Sequence, residues 1–337
     1  MIEETLDQNR YSEFIKTCDK YNFLQSWEWG EFQISIGNKA IRYLYIQDDQ
    51  ILSAATMIIE RTKLALFGII PCGPIFQNLD SKVLSDLTTL LIDQSKLHHV
   101  DILRIAPYFD FNESFKNVFN KLHFKHSTAK TFANHSLILN LEPNEDALLQ
   151  NMRKTTRYLI KQKERHNIEI VSSTDVQDVN LYSLIEKDTL KKHDFRPYSK
   201  DRIIKEIKAF SPNGCLIYKA IYEQEVVSMA IILFYGDEAN YLYGASLSKY
   251  ANIPCSYGIQ WEAINEAKKR GCKRYNFWGI SDQYINSDQK QTHPLWGVTQ
   301  FKKGFGGTEK IHEIGFDKVL SIKGLAQRQL EKHRNKL

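Results

Sequence analysis

The chain has 337 residues, enough for two domains with cores of their own. At 42% hydrophobic, 25% charged and 12% aromatic residues, with a mean hydropathy of -0.42, it is not membrane-embedded, collagenous or mainly disordered. A net charge of +5 is too mild to announce a nucleic-acid binder. The first thirty residues hold Glu3, Glu4, Asp7, Arg10 and Glu13 and no apolar run of signal-peptide length, so the expectation is a soluble, cytosolic protein. Cys18, Cys72, Cys215, Cys255 and Cys272 are scattered with no C-x-x-C, which predicts reduced core thiols and neither a disulfide framework nor a zinc knuckle.

In chain order, IRYLYIQDDQILSAATMII (41–59) predicts two strands joined at Asp48-Asp49, and LALFGII (64–70) a third. A helical pattern from Lys82 to Lys96 leads through His98-His99, read as a helix end and not as metal ligands, into the strand Asp101–Ile105. The same order returns later. CLIYKAIYEQEVVSMAIILFY (215–235) is strand, tight turn and strand, ANYLYGAS (239–246) is the third, and a helix over Tyr257–Lys269 stops at Gly271 before the strand Lys273–Trp278. Ile46 matches Ile221 and Ser53 matches Ser228 at one offset of 175 residues, so a duplicated unit is the simplest account, against two unrelated domains. The fold class predicted is α+β, with an element order close to that of GNAT-type acetyltransferases.

Charge is unevenly spread. Residues 1–50 carry nine acids against five bases, 151–165 carries six bases against Glu164, 268–274 has five bases and no acid, and the tail from Ser321 has five bases against Glu331. If 151–165 is helical, Arg153, Arg157, Lys161 and Arg165 form a row of like charges that an anion would relieve; a solvated helix face is the plain alternative.

Several chemistries lack their minimum equipment. G-x-x-x-x-G-K-[ST], G-x-S-x-G and H-E-x-x-H are absent, which leaves phosphoryl transfer on a P-loop, a hydrolase elbow and a zincin unsupported. An acetyl-CoA user of GNAT type needs a glycine-rich turn after its third strand to hold a pyrophosphate. SLSKYANIPCSY and PCGPIFQNLDS stand there instead, so no CoA or other cofactor is expected. Gly304-Phe305-Gly306-Gly307, after Lys302 and Lys303, reads equally as an anion cradle or as a turn with exposed lysines. NFWGISDQ (276–283) and HPLWGVTQFKKGFGG (293–307) combine an apolar wall with two lysines, which suits a buried anionic or adenine-bearing ligand.

WEAINEAKKRGCKRYNFWGI (261–280), HPLWGVTQFKKGFGG (293–307) and EIGFDKVL (313–320) resemble the C-terminal signature of FemABX-type aminoacyl transferases. FLQSWEWGEF (23–32) is similar to that family's early Gln-x-x-x-Trp motif, and NMRKTTRYLIKQKERHNIEI (151–170) extends the likeness. The resemblance implies two tandem GNAT-like domains, 1–145 with a returning tail 317–337 and 146–316, without the long helical hairpin of some members. It also implies transfer of an amino acid from aminoacyl-tRNA to the side-chain amine of a UDP-linked or lipid-linked peptidoglycan stem peptide. Carried over residue by residue, Phe301-Lys302 matches the pair near the transfer site, and Tyr257 and Arg196 match residues that meet the precursor diphosphate. Gln33 stands where relatives have a phosphate-binding lysine, and Ala106-Pro107 where many have Asp-Pro, so the acceptor side departs from the family pattern.

An aminoacyl ester is already activated, so the enzyme's task is alignment and stabilisation of the tetrahedral oxyanion, and the resemblance implies that Lys302 faces the aminoacyl end and steadies that charge. A carboxylate, substrate phosphate or water takes the amine proton, with no unique protein candidate; Asp282, beside the end of the NFWG strand, is one, although the reading as a surface turn residue is favoured. The basic row, Lys268–Lys273 and the tail are expected to meet tRNA phosphates. A lipid-linked acceptor would require peripheral membrane contact, although RQLEKHRNKL has few apolar anchors. Two other readings stand beside this one: a non-catalytic module binding an envelope precursor or RNA, and an N-acyltransferase with another activated donor.

Overall fold

The computed structural model describes residues 1–190, 197–281 and 296–334. It divides into two compact units, Met1–Asn134 with His312–Leu337, and His135–Ile311. In chain order the first stretch holds β1 (Ile2–Glu4), α1 (Gln8–Lys16), α2 (Trp27–Ser35), β2 (Lys39–Gln47), β3 (Gln50–Arg61), β4 (Leu66–Pro71), β5 (Ile75–Phe76), α3 (Ser81–Leu97), β6 (Ile102–Ala106), α4 (Glu113–Lys121) and β7 (Lys125–His126). The second unit follows with β8 (His135–Asn140), α5 (Glu145–Asn151), α6 (Lys154–Arg165), β9 (Glu169–Ser173), α7 (Asp178–Leu190), α8 (Lys200–Ala209), β10 (Cys215–Tyr222), β11 (Glu225–Tyr235), β12 (Glu238–Ser246), α9 (Cys255–Lys269), β13 (Arg274–Gly279), α10 (Trp296–Gly304) and β14 (Thr308–Ile311). The chain then returns to the first unit as β15 (Phe316–Val319) and α11 (Ile322–Arg334).

The repeat holds to the residue. Asp48 and Asp49 have φ of 49° and 58°, and Glu223 and Gln224 have 49° and 63°, the left-handed pairs of a two-residue hairpin turn that matches strand twist. A bulge follows Tyr45 opposite Ser53 in one hairpin and Ala220 opposite Ser228 in the other, again 175 residues apart. The first sheet runs β1-β2-β3-β4-β6-β15-β7, with β5 also on β3, and the second runs β9-β10-β11-β12-β13-β8-β14. Each has one parallel pair, β4 with β6 and β12 with β13, joined by a crossover helix. That helix supplies each core: Leu84, Leu87 and Leu91 of α3 pack on Tyr43, Met57 and Leu103, and Ile259, Ala263 and Ile264 of α9 pack on Tyr218, Ile232 and Tyr275. All five cysteines are buried and free.

The strand between the parallel pair and the edge has a different origin in each sheet. β15 fills that place in the first and β8 in the second, so after each edge strand, β7 or β14, the chain crosses to the other sheet. The boundary therefore differs from the division at 145 and 316: His135–Asn140 pairs with β13 and β14 on its two sides, which makes it an inner strand of the second unit. The helix expected over 151–165 is broken at Met152-Arg153, where Met152 has extended backbone.

Asp317 on β15 is fully buried and takes a two-pronged ion pair from Arg104 of β6, at 2.7 and 3.0 Å, while Arg104 also reaches Glu331 of α11 at 2.7 Å. This fastens the last residues of the chain to the first sheet. Asp317→Ala strands a buried guanidinium, so equilibrium denaturation is expected to show a loss of about 3–5 kcal/mol; an unchanged midpoint would mean that the pair does not hold the tail.

Candidate active site

In the second unit β12 and β13 pair only from Glu238–Asn240 to Arg274–Asn276, although β12 continues to Ser246. β13 turns away because Trp278 takes a left-handed φ of 62°, a conformation a bulky residue adopts only when its surroundings enforce it. Asn276 supplies that constraint: its buried side chain accepts from the Trp278 amide at 2.8 Å and donates to Glu238 at 3.2 Å. In the first unit, β4 and β6 instead stay paired as far as Pro71 and Ala106, and the Gly73 amide adds a bond to the Ala106 carbonyl.

Lys302 of α10 belongs to this opening. Only 7% exposed, it donates to the Gly279 carbonyl at 2.8 Å and has its Nζ 5.5 Å from the centre of the Tyr241 ring. No carboxylate faces it among the described residues, and burial pushes its pKa down to about 7. The strands are shaped for the tyrosine, since a β-carbon on Gly244 would lie 1.8 Å from the Tyr241 hydroxyl. Phe301 stands edge-on to Tyr257 at 5.0 Å, and both rings pack on the fully buried Phe305. Of the residues chosen from sequence, Phe301 and Tyr257 therefore pack together, while Lys302, next to Phe301 on α10, turns to the Gly279 carbonyl and Tyr241. Tyr241 and the Gly279 carbonyl were missed; only a parallel pair that parts early singles them out.

The remaining sequence choices divide. Arg153 is exposed, bonds the Gln300 side chain at 3.4 Å, and its charge acts on Tyr257, which places it at the rim of the cluster. Lys161 and Arg165 are exposed, but Arg157 turns back to the carbonyls of Gln150 and Met152, at 2.8 and 2.5 Å, closing the C-terminus of α5. Because α6 begins only at Lys154, the exposed stripe is Lys154, Tyr158, Lys161 and Arg165. Gln33 is buried in the first unit, where its side-chain carbonyl accepts from Asn38 at 2.8 Å. Arg196 and Asp282 lie outside the described residues.

Two basic or glycine-rich runs have structural work. Lys268 donates to the Leu141 and Pro143 carbonyls, Arg270 pairs with Glu266, and Arg274 with Asp237, leaving Lys269 and Lys273 exposed. Gly304–Gly307 is the exit of α10, with the Phe305 and Gly306 amides bonded to the Lys302 and Lys303 carbonyls. A helix C-terminus presents carbonyls, so this run is a turn and not an anion cradle.

The motif glutamine is also structural. Gln25 is fully buried, donates to the Thr56 and Pro71 carbonyls at 3.2 and 2.6 Å and accepts from the Thr56 amide at 2.8 Å, filling the gap where β3 leaves β4 for β5.

Between pH about 7, where folded Lys302 releases its proton, and about 10.4, where the unfolded side chain does, the unfolded state holds more protons. Stability contributed at this position therefore rises with pH across that window. In Lys302→Met this rise is expected to vanish and stability near pH 7 to be no lower than in the parent. Parallel pH profiles for the two proteins would show instead that the amine is not desolvated.

The comparisons with known proteins agree with the geometry. The FemAB family model matches residues 6–213 and 217–315. The lipid II:glycine glycyltransferase of Staphylococcus haemolyticus (strain JCSC1435) is 28% identical over 214 residues, 61% of this chain and 43% of that protein. Aminoacyltransferase FemA of Staphylococcus aureus (strain bovine RF122 / ET3-1) is 37% identical over 78 residues, 23% of this chain and 17% of that protein. The matched stretches thus span less than half of these relatives' lengths. Among solved structures, FemX superposes with a TM-score of 0.82 at 15% identity, covering 98% of this chain and 99% of the other. A tandem GNAT protein from the clavulanic acid biosynthesis pathway gives 0.55 at 7% identity, over 94% and 98%. With its repeated GNAT-like units and a family match across both, the chain belongs to the FemAB family.

Proposed function

We propose that the protein transfers an aminoacyl group from aminoacyl-tRNA to the side-chain amine of a peptidoglycan stem peptide, nucleotide-linked or lipid-linked, in the cytoplasm. The observation that carries this reading is the buried Lys302, with no carboxylate facing it among the described residues, in the opening between β12 and β13 of a FemAB chain. Its Nζ is presented where the two strands no longer occupy each other's hydrogen-bonding groups. An ester carbonyl placed there gains a cationic donor as its oxygen becomes negative. The developing oxyanion raises the affinity of Lys302 for its proton, so stabilisation is greatest in the transition state. Phe301 and Tyr257 bound the cluster with aromatic surface, and Arg153 adds positive charge at its rim.

The stripe Lys154, Tyr158, Lys161 and Arg165, with Arg153 at its start, suits a phosphate backbone, three bases and an exposed aromatic ring on one helix face. In this reading it receives the tRNA. The glycyltransferase relative is named for lipid II, which supports a stem-peptide acceptor. Loss of the lysine at Gln33 leaves the first unit without that positive charge for a diphosphate.

The assay is transfer of label from aminoacyl-tRNA to a panel of nucleotide-linked and lipid-linked muropeptides, read as deacylation coupled to a mass gain on the peptide. Deacylation without mass gain, or gain from a thioester donor alone, would overturn the reading. Lys302→Ala is expected to lower the rate by about 10²–10³-fold, and a drop below about tenfold would remove Lys302 from the transition state. The pH profile carries a sign. With a neutral amine and a charged Lys302 both required, the rate climbs below pH about 7 and then levels, because each further gain in free amine is offset by loss of lysine charge. In Lys302→Ala the climb continues towards the amine's own pKa. For the donor, Lys161→Glu is expected to weaken tRNA binding and reduce its log-log salt slope by about 1; an unchanged slope would place the tRNA elsewhere.

A further inference from the structure

α11 has one side committed and one side bare. Gly324 and Gln327 face inward, and Glu331 is taken by Arg104 and Thr128. On the opposite side Ile322, Leu325 and Leu330 are 89%, 53% and 45% exposed. Leu97, at the end of α3, is 68% exposed, and Leu64, in the turn between β3 and β4, is 47% exposed. These large apolar side chains are half or more open to solvent, apart from Leu64 and Leu330, which are a little less so.

Asp101 gathers the three segments that carry them. Its amide donates to the Leu66 carbonyl at 2.7 Å, its carboxylate accepts from the Leu66 amide at 2.8 Å and from the Ser321 hydroxyl, and its carbonyl accepts from the Leu320 amide at 2.8 Å. A β-carbon on Gly324 would lie 2.3 Å from that carbonyl oxygen, so α11 starts directly against it. The Thr62 hydroxyl reaches Gln327 at 3.5 Å. The bare apolar groups therefore share one end of the first unit's sheet.

The charges beside them are mostly of one sign. Arg61, Lys63, Lys323, Lys332 and Arg334 are exposed on the same segments. Of the acids, Asp101 and Glu331 are bonded inward, Asp93 pairs with Lys96, and Glu60 is exposed. Protruding aliphatic groups interleaved with long cationic side chains fit an interface where hydrocarbon lies beneath anionic headgroups. We propose that this end of the first unit is a membrane-docking face that seats on an anionic phospholipid surface. It deepens the transfer reading, on which it rests for a purpose, by bringing the enzyme to a lipid-linked acceptor. Of these five apolar groups Leu330 falls within the RQLEKHRNKL stretch judged poor in anchors, while Ile322 and Leu325 lie in the first turns of α11 and Leu64 and Leu97 on the segments beside it.

The test is cosedimentation of the full chain with vesicles of phosphatidylglycerol mixed with phosphatidylcholine, and of phosphatidylcholine alone. Binding is expected to the anionic vesicles, weakening with added salt. It should fall by about tenfold or more in Ile322→Asp with Leu325→Asp, and also in Lys323→Glu with Lys332→Glu, with unfolding midpoints unchanged. Equal binding by parent and variants, or none by the parent, would overturn the proposal. So would a shift in the concentration dependence of dimer formation without vesicle binding, which would make the face a contact for a second copy. The Ile322→Asp with Leu325→Asp variant should retain transfer to a nucleotide-linked acceptor while losing it to a vesicle-held one. Should no acceptor be aminoacylated, the transfer reading fails while the vesicle result still decides this proposal.

Discussion

An amine removed from water, with no carboxylate partner among the described residues, is the constraint around which the second unit is organised. Burying an ammonium is costly unless it is paired, and among the described residues Lys302 meets the Gly279 carbonyl and the Tyr241 ring. The geometry that maintains this is distributed. Asn276 holds the turned backbone at Trp278, the turned backbone presents the Gly279 carbonyl, and Gly244 leaves room for the Tyr241 hydroxyl beneath. Remove any of these and the amine would find either water or a neighbour. A group kept in this condition answers strongly to a negative charge that appears beside it, because little solvent is present to answer first.

The duplicated units have used the same joint differently. In the first, the parallel strands stay paired to their ends and Gln25 bridges the adjoining gap with three buried hydrogen bonds. In the second, the strands part and a lysine enters. One copy of the scaffold closes this joint where the other opens it. The first sheet is incomplete without β15, which reaches it only after the chain has passed through the second unit, whereas the second sheet is built wholly from the continuous stretch β8–β14. The buried Arg104–Asp317 pair then fixes the late-made segment in the early-made sheet.

Positive charge, which the sequence presents as patches, sorts on folding into two kinds. Arg157, Lys268 and Arg270 satisfy carbonyls at helix and strand ends, where their donors replace water. Lys154, Lys161 and Arg165 on α6, and Lys323, Lys332 and Arg334 on α11, stay at the surface. A linear count treats both kinds alike.

The sequence by itself determined the repeated unit, down to the two-residue turns at Asp48-Asp49 and Glu223-Gln224, because hairpin register and alternation are local properties set by neighbouring residues. It also singled out Phe301, Lys302 and Tyr257 as candidates, through motifs that a family resemblance made readable. It did not determine which unit owns His135–Asn140, since an inner strand's partners lie far along the chain: Arg274–Gly279 on one side and Thr308–Ile311 on the other. Nor did it reveal Tyr241, the Gly279 carbonyl or the inward turn of Arg157. Those depend on where two strands separate and where one helix stops, and only the tertiary structure, which decides what each polar group has lost in water and found in protein, settles them.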